Sequence, residues 1–593
     1  MLTSLNGIRT VNITRREFLQ ALSIGMGMYL TRLPMSHAAK HQGLEKLLKG
    51  STVPSNYYDI PRFGNVSFLH FTDSHAQLLP AYYREPATHL GVGAMADDMP
   101  HIVGEHLVNA MGWQTNSALA HAFTCVDYDT LANKFGAMGG FSYLATLVKQ
   151  LKESRPGALL LDGGDTWQGS ATSLWTNAQD MIDASLLLGV DVMTGHWEFT
   201  YGMDRVKYVL ENDFKGKIDF VAQNILDLEF EERVFEPYTM KEQNGVKIAI
   251  IGQAFPFTPI ANPRYLVEDW QFGIREEILQ EVIDETREKG AQVVILLSHN
   301  GLNVDMKLAS RVRGLDAIFS GHTHDALPIA FEAKNAGGKT LVINSGSMGK
   351  FVASLDLDVK AGKVRDYQFN MIPVFANAIK PDQTMQAHID AVRKPYLKKL
   401  NEELAVSNEL LYRRGTFNGT FDQLICDALL ESQDAEISFS PGFRWGMSML
   451  SGQPITYEDV MTQTAITYPD VVRTEIKGEF LKTILEDIAD NRFNPDPYFQ
   501  QGGDMVRVGG LQYSIDVSAA QGKRISDMTL KGKPIQADKT YIMGQWASVN
   551  QDVKGKPMCD VVADYLRDKK VVSVSNLNVP KVKNVPGKFG DVA

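Results

Sequence analysis

Aspartate and histidine side chains gather just after short apolar runs along the first part of this 593-residue chain. Carboxylate oxygens and neutral imidazoles are the ligands that borderline divalent metals prefer. No thiolate accompanies them, which argues against a closed structural zinc site. The sequence therefore predicts a site for two divalent metal ions. The seven candidate ligands are Asp73, His75, Asp165, His196, His299, His322 and His324.

Two metal ions that act together sit about 3.5–4 Å apart and need a shared ligand. A carboxylate can bridge two ions, whereas an imidazole cannot. Asp165 follows Gly163-Gly164 and precedes Thr166, and these small neighbours leave room for metals to approach. We therefore expect Asp165 to be the bridge and a central catalytic residue.

The apolar runs that precede these residues predict strands buried on both faces, because they do not alternate with polar residues. Helical patterns lie between several runs, for example at 141–153 and 276–289. An α/β layered domain over 60–375 is therefore predicted. In such domains ligands bind at the carboxyl ends of the strands, where the seven side chains stand.

The rest of the chain predicts a smaller α+β domain at 406–570, joined through one charged linker helix at 376–405. A loosely packed tail is predicted at 571–593. An insertion at 79–134 does not fit the strand pattern, and its length suggests a lid or a docking loop. A surface elaboration without a role explains that insertion equally well.

An export leader is predicted at residues 1–38. Arg15 and Arg16 are followed by an apolar run at 21–30 and by a small-residue site ending at Ala38. This order is typical of a twin-arginine signal peptide, and the apolar run is too short to cross a membrane. We therefore expect a periplasmic protein with no membrane attachment.

The composition excludes some classes of function. A formal net charge of −11 argues against nucleic acid as a partner. The three cysteines, Cys125, Cys426 and Cys559, are far apart and form no pair typical of a disulfide framework. Soluble enzymes and binding modules remain.

The motifs as a set resemble the calcineurin-like metallophosphoesterases. They are Asp73-x-His75, Gly164-Asp165, Ser298-His299 and Gly321-His322-Thr323-His324. The C-terminal part looks like the second domain of the 5′-nucleotidase family. The resemblance implies a four-layer sandwich domain followed by the smaller α+β domain. It also implies two ligand groups, one of Asp73, His75, Asp165 and His324, the other of Asp165, His196, His299 and His322.

This chain departs from the family pattern in informative ways. Where the family has Gly-Asn-His-Glu, this chain has Gly195-His196-Trp197-Glu198. The metal-binding Asn would become His196 and the catalytic His would become Trp197, which cannot relay a proton. Arg444 of the phosphate-binding turn survives. A second phosphate-binding Arg and the late glycine-rich signature of the nucleoside pocket are missing.

These departures resemble one branch, the SoxB-type thiosulfohydrolases, also called sulfate thiol esterases. The stretches that carry the likeness are 195–199, 412–419 and 502–510. The resemblance implies two Mn²⁺ ions, with Zn²⁺ or mixed divalent metals as the alternative. It implies hydrolysis of a cysteine-linked S-sulfonate, with release of sulfate, in periplasmic sulfur oxidation. The partner would be a sulfur-carrier protein with a cysteine-bearing arm (SoxYZ-like).

Further side chains are expected near the reaction, and each has a structural alternative. Arg413, Arg414 and Arg444 could bind the sulfonate or form ordinary salt bridges. Asn224 and Glu198 could orient water and ligands or make structural hydrogen bonds. Trp197 and Tyr201 could line the slot for the carrier's arm or pack in the core. The expected catalytic set is Asp165, His196, Trp197 and Glu198.

Two other functions stay open at this point. A periplasmic 5′-nucleotidase or another phosphoesterase could use the same two-metal scaffold, and turnover of AMP would favour it. A non-catalytic metal-binding module that docks a partner through the insertion at 79–134 belongs to a different class. It would bind metal without hydrolysing a carrier-bound sulfonate.

Overall fold

The computed structural model describes residues 53, 55–93, 96, 98–550 and 553–585. The predicted twin-arginine leader, residues 1–38, lies outside this range. Within the described part of the chain, every helix is too short or too polar to cross a membrane.

Fourteen strands and ten α-helices make up the described part of the first domain. The strands are β1 (Val66–Phe71), β2 (Leu159–Asp162), β3 (Val192–Met193), β4 (Asp219–Phe220), β5 (Ile225–Asp227), β6 (Tyr238–Gln243), β7 (Val246–Gln253), β8 (Trp270–Phe272), β9 (Val293–Ser298), β10 (Ala317–Ser320), β11 (Phe331–Asn335), β12 (Gly338–Asn344), β13 (Phe351–Lys360) and β14 (Lys363–Pro373). The helices are α1 (Gly104–Met111), α2 (Ala118–Phe123), α3 (Tyr128–Phe135), α4 (Phe141–Ser154), α5 (Ala171–Thr176), α6 (Gln179–Leu188), α7 (Met203–Val209), α8 (Thr258–Ala261), α9 (Glu276–Glu288) and α10 (Leu302–Arg311).

Two six-stranded sheets form the centre of this domain. Their strand orders are β14-β13-β1-β2-β3-β4 and β11-β12-β10-β9-β7-β6. Strands β1 to β4 run parallel, as do β7, β9, β10 and β12. The carboxyl ends of the parallel strands in each sheet therefore open on a common edge, which is where a ligand site is expected.

The continuous apolar runs predicted for the strands follow from this packing. In β9, Val293, Ile295 and Leu297 belong to the core between the two sheets. Val294 and Leu296 point to the other face and join the core under the helices. A strand covered on both faces needs apolar side chains at every position. The layers run helix, sheet, sheet, helix, which confirms the predicted four-layer sandwich.

The second domain mixes short sheets with helices and confirms the predicted α+β class. Its sheets have the orders β17-β15-β24, β18-β23-β16-β19 and β22-β21-β20-β25. Its strands are β15 (Glu403–Ser407), β16 (Ile437–Ser440), β17 (Pro454–Thr456), β18 (Val471–Lys477), β19 (Arg507–Gly509), β20 (Leu511–Asp516), β21 (Ile525–Leu530), β22 (Lys533–Pro534), β23 (Thr540–Trp546), β24 (Val571–Val572) and β25 (Lys581–Lys583). The helices from the linker onward are α11 (Gln383–Arg393), α12 (Leu397–Leu400), α13 (Thr420–Ser432), α14 (Tyr457–Thr464), α15 (Gly478–Phe493) and α16 (Met558–Lys569).

The prediction of one linker helix over 376–405 is wrong. Helix α11 ends at Arg393, α12 is a separate short helix, and β15 begins at Glu403. Pro395 explains the break, because a proline lacks the N–H that a helix interior needs and its ring clashes with the preceding turn. The domain limits of 60–375 and 406–570 stay predictions.

The last part of the chain is also more ordered than predicted. Within the stretch 571–593, β24 pairs with β15 and β25 pairs with β20. Strands of two or three residues leave no periodic pattern in a sequence, so only the pairing partners reveal them. Residues 586–593 lie outside the described range.

The insertion at 79–134 lies between the two domains. It holds α1, α2 and α3, and the hydroxyl of Tyr83 donates to the carbonyl of Arg444 in the second domain (2.6 Å). Leu90 packs into an apolar cluster of that domain. The buried ammonium of Lys350 donates to Glu85 (2.6 Å) and to the carbonyls of Tyr83 and Ala122. These contacts fix the insertion at the domain interface.

Replacing Lys350 by Met should destabilise the first domain by about 3–5 kcal/mol, because Glu85 would keep a buried carboxylate without its partner. Urea unfolding followed by tryptophan fluorescence measures the change. Lys360→Met is the matched control, since Lys360 pairs with Asp358 at the surface, where ion pairs contribute little. Equal effects of the two substitutions would contradict the role given to Lys350.

Candidate metal centre

The structure brings all seven predicted ligands together at the common edge of the two sheets. They form two groups that share Asp165, and within each group the potential ligand atoms lie within 4.8 Å of one another. All seven side chains are buried. The groups are Asp73, His75, Asp165 and His324, and Asp165, His196, His299 and His322.

The backbone at this edge is unusual. Five of the seven residues have φ angles between 46° and 72°, a region that side-chain-bearing residues rarely adopt. They are Asp73, His75, Asp165, His322 and His324. Such conformations cost free energy and persist where the surrounding structure enforces them, which is a mark of functional sites.

Asp165 occupies the centre of the cluster. Its carboxylate lies 3.0 Å from Nε2 of His299, 3.1 Å from Nδ1 of His196 and 3.7 Å from Nε2 of His75. The backbone N–H of Trp197 donates to its Oδ1 (2.8 Å). One carboxylate thus faces imidazoles of both groups, which is the geometry that a bridging ligand requires.

The first group turns several lone pairs toward one point. Nδ1 of His75 lies 3.2 Å from the carbonyl of Gln168, which places the proton on Nδ1 and leaves the lone pair on Nε2. That Nε2 is 3.1 Å from Nε2 of His324, which in turn is 3.2 Å from Oδ1 of Asp73. A divalent cation at this point would satisfy all of these atoms.

The second group has the same property. Nδ1 of His299 lies 2.6 Å from the carbonyl of Gly163, so its Nε2 is directed to the cluster, as is usual for metal-binding histidines. That Nε2 faces the carboxylate of Asp165, whereas Nε2 of His196 is buried and has no hydrogen-bond partner in the described chain. Buried polar atoms normally have partners, so these residues fit a divalent metal site.

The electrostatics of the cluster agree with metal binding. Burial lowers the pKa of His75 to about 4 and holds the pKa values of His322 and His324 well below the usual range. Burial alone would also lower the pKa of His299, but the carboxylates of Asp165 and Asp73 raise it to about 10. Neutral imidazoles are the form that binds metal, and the negative potential that favours a proton on His299 also attracts a cation.

Glu198 holds the backbone of the ligand loops, and the catalytic role expected of it stays a prediction. Its carboxylate accepts the backbone N–H groups of His196 (2.8 Å) and Thr166 (2.7 Å), and those of Asp165 and Trp167 (3.2 Å each). These bonds clamp the loop after β2 to the loop after β3. Glu198 therefore keeps Asp165 and His196 in register.

Asn224 and Tyr201 form hydrogen bonds with the backbone, and the substrate-binding role expected of each stays a prediction. The amide of Asn224 donates to the carbonyls of Ala254 (2.8 Å) and Gly273 (2.9 Å), and it accepts from the N–H of Ala254. The hydroxyl of Tyr201 donates to the carbonyl of Trp167 (3.1 Å). Both side chains thus satisfy backbone groups of the scaffold.

Trp197 belongs to a cluster of aromatic rings that covers the metal centre, here called the aromatic cover (Trp197, Phe443, Trp445 and Tyr468). Trp445 stacks on the ligand His75 with ring centroids 4.9 Å apart. Trp197 meets Trp445 edge to face at 4.8 Å and lies parallel to Tyr468. The sequence prediction missed Phe443, Trp445 and Tyr468, although the first two flank Arg444.

Arg414 and Arg444 connect the second domain to the ligand loop. Nη2 of Arg414 donates to the carbonyl of Thr323 (2.9 Å), and Nη1 of Arg444 donates to the carbonyl of His322 (3.2 Å). Arg413 is turned away, toward Asp422 (2.8 Å) and the carbonyl of Gln463. Arg414 and Arg444 are therefore the two predicted arginines placed beside the metal ligands.

A glycine loop of the second domain touches the same ligand. A Cβ atom on Gly502, where φ is +81°, would lie 1.9 Å from Nε2 of His322. The neighbouring Gly503, where φ is +76°, has its nearest neighbour at 3.9 Å. From the sequence, the stretch 502–510 showed a resemblance to one branch of the family, and no role was predicted for its glycines.

Comparisons with known proteins agree with this architecture. Residues 66–326 match the family model of calcineurin-like phosphoesterases, and residues 404–582 match that of the 5′-nucleotidase C-terminal domain. The solved sulfate thiohydrolase SoxB of Thermus thermophilus is 33% identical, with a TM-score of 0.84, over 89% of this chain and 99% of that chain.

Three other relatives have lower sequence identity to this chain. A solved 5′-nucleotidase precursor from Thermus thermophilus has the same fold, with 21% identity and a TM-score of 0.70 over 88% of this chain and all of that one. Protein UshA of Yersinia enterocolitica is 24% identical over 70% of this chain and 82% of its own length. The 5′-nucleotidase of Bos taurus is 24% identical over 70% of this chain and 78% of its own.

Asp165→Ala should lose both metal ions and all hydrolytic activity, because Asp165 alone belongs to both ligand groups. Metal analysis by mass spectrometry measures the loss, and limited proteolysis checks that the second domain stays folded. Asp73→Ala removes a ligand of one group only and should keep more metal. Two ions per chain in the Asp165 variant would show that it is not the bridge.

Gly502→Ala should reduce metal content toward one ion per chain, because the added methyl group forces His322 or the loop to move. Gly503→Ala is the matched control: it introduces a similar left-handed strain of about 1–2 kcal/mol without the clash. Metal content after dialysis separates the two variants. Equal metal loss in both would mean that backbone strain, and not the contact with His322, is responsible.

Proposed function

The chain belongs to the 5′-nucleotidase family of calcineurin-like phosphoesterases, which makes it a metal-dependent hydrolase, and we propose that it is a thiosulfohydrolase. Its substrate in this proposal is a cysteine-linked S-sulfonate, derived from thiosulfate, on a sulfur-carrier protein. Its product is sulfate. The SoxB relative supports this proposal, because its likeness extends over 89% of the chain at 33% identity.

The observation that carries the proposal is the position of Trp197. It stands where the family has a catalytic histidine, its backbone N–H binds the bridging candidate Asp165 (2.8 Å), and its ring lies in the aromatic cover. An indole donates one hydrogen bond and cannot deliver a proton. The site is therefore suited to a leaving group that departs as a stable anion.

A sulfur leaving group meets that condition. The oxygen of a water molecule bonds to the sulfonate sulfur, the sulfur–sulfur bond breaks, and the electron pair leaves with the carrier's sulfur as a thiolate or persulfide. Such anions are stable near neutral pH, so no general acid is needed and the water's protons pass to solvent. An alkoxide leaving from a phosphate ester would need that acid.

The ligand groups around Asp165 would hold two divalent cations. When bound, such cations supply Lewis-acid chemistry, because they neutralise oxyanion charge and make water reactive near neutral pH. We propose Mn²⁺ for both, with Zn²⁺ or mixed metals as the alternative, since oxygen and nitrogen ligands accept each of them.

The second domain supplies the other parts of the proposed site. Arg414 and Arg444 place positive charge beside the ligand loop, where a sulfonate would bind. The buried rings of the aromatic cover pack against His75 and shield that ligand from solvent. We further propose that the enzyme acts in the periplasm after twin-arginine export, where the SoxYZ-like carrier would be its partner.

The test is sulfate release from a carrier protein that bears a cysteine-linked S-sulfonate, measured beside phosphate release from AMP. We expect sulfate release and at most trace phosphate, because Trp197 cannot protonate an alkoxide. Asp165→Ala serves as the inactive control. Carrier without the sulfonate accounts for contaminating sulfate.

The second candidate, a 5′-nucleotidase or other phosphoesterase, is favoured by the names of two 24%-identical relatives, the 5′-nucleotidases of Bos taurus and Rattus norvegicus. Phosphate release from AMP without sulfate release from the carrier would establish it and contradict the proposal. A metal-loaded protein inactive on both substrates would favour a docking module instead.

A further inference from the structure

A small cavity of about 30 Å³ lies between the two domains beside the metal ligands. Its lining includes His322 of the ligand cluster, Gly301 and Asn303 of the first domain, and Arg444 and Arg492 of the second. A single water molecule needs about 10–15 Å³. The cavity can therefore hold a ligand of a few heavy atoms.

Two donor atoms of Arg492 have no acceptor among the described residues around this cavity. Arg492 is 5% exposed, and the two atoms are its Nε and Nη2. Burial and the nearby charge of Arg444 lower its pKa to about 10, so the guanidinium stays charged at neutral pH. A buried charge is strongly unfavourable unless an opposite charge pairs with it.

The buried charges around the cavity do not balance. Four arginines and three aspartates form one network of ion pairs across this region. Arg492 adds a fifth guanidinium. Among these described residues, five arginines therefore face three aspartates, an excess of two positive charges. The network consists of Arg413, Arg414, Arg444, Arg507, Asp325, Asp422 and Asp504.

A second feature of the cavity also favours an anion. Helix α10 begins at Leu302, and its first-turn residues Asn303 and Val304 line the cavity. The N–H groups of a first helical turn have no partner within the helix and carry the positive end of its dipole. The first turn of α10 and Arg492 thus line the same small cavity, and a helix N-terminus favours an anion.

Asp325 is the one carboxylate among the described residues that line the cavity. It lies 3.3 Å from Nη2 of Arg414, which compensates its charge. Its Oδ2 has no hydrogen-bond partner within the described chain. An oxyanion that carries a proton could donate to that oxygen, whereas a fully ionised one could not.

We propose that a small tetrahedral oxyanion binds in this cavity, between Arg444 and Arg492 and the first turn of α10, at a site that adjoins the metal centre and shares His322 and Arg444 with it. Sulfate and inorganic phosphate share the required charge and shape. Because His322 belongs to both the ligand cluster and the cavity wall, the site can receive a product oxyanion that leaves the centre. The proposal holds for either hydrolytic activity, since each releases such an ion.

The test is calorimetric titration of the metal-loaded protein with sodium sulfate and, separately, with sodium phosphate, at constant ionic strength. Arg492→Gln should weaken binding at one site at least about tenfold, because it removes charge-assisted hydrogen bonds. Arg473→Gln is the matched control: it makes the same charge change at an exposed residue and should bind as the wild type does. Metal content should be unchanged in both variants.

The two anions distinguish the sources. Tighter binding of sulfate is expected if the site receives the product of the proposed reaction. Tighter binding of phosphate indicates that the O–H group of hydrogen phosphate donates to Oδ2 of Asp325. Anomalous scattering from crystals of the wild-type protein soaked in selenate tests the location without any variant. Equal binding by the wild type and Arg492→Gln would overturn the proposal. So would selenate bound only at the metal centre.

Discussion

Two carboxylates are buried among five imidazoles, and the need to hold them there governs how both domains are built. Asp73 and Asp165 are 0% and 1% exposed, and such charges are tolerated inside a protein only where opposite charge meets them. The cluster also requires backbone conformations that residues with side chains rarely adopt. Two sheets with a shared core supply the rigidity that holds these loops, and Glu198 ties two of them together.

The second domain completes the site and does not merely accompany it. Its arginines bind the carbonyls of His322 and Thr323, its aromatic rings cover His75, and its glycine loop approaches His322 so closely that no side chain would fit between them. The insertion is held to the first domain by Lys350 and contacts the second domain through Tyr83 and Leu90. In the site proposed here, the first domain provides the metal ligands and the second domain provides the groups that contact the substrate.

One substitution separates the chemistry proposed here from that of a nucleotidase. In the proposed mechanism Trp197 stands in the place of an imidazole that could pass a proton, and its indole cannot; its ring packs against Trp445 and Tyr468. Loss of a general acid is tolerable only where the leaving group is already a stable anion. A sulfur leaving group is the chemical class that makes this replacement and the two-metal scaffold compatible.

The layered α/β class, the second α+β domain and all seven candidate metal ligands could be predicted from the sequence, because each ligand directly follows an apolar run and parallel strands bring such positions to one edge. Which neighbours take part became visible only in the folded chain. Asn224, Tyr201 and Glu198 follow the same strands, yet their polar atoms are used by backbone groups. Conversely, Trp445 and Gly502 contact metal ligands, and Arg492 lines the cavity beside them. All three lie in distant parts of the sequence that come together only when the domains pack. Local patterns encode what a strand end carries, whereas contacts across a domain interface depend on packing that no local pattern records.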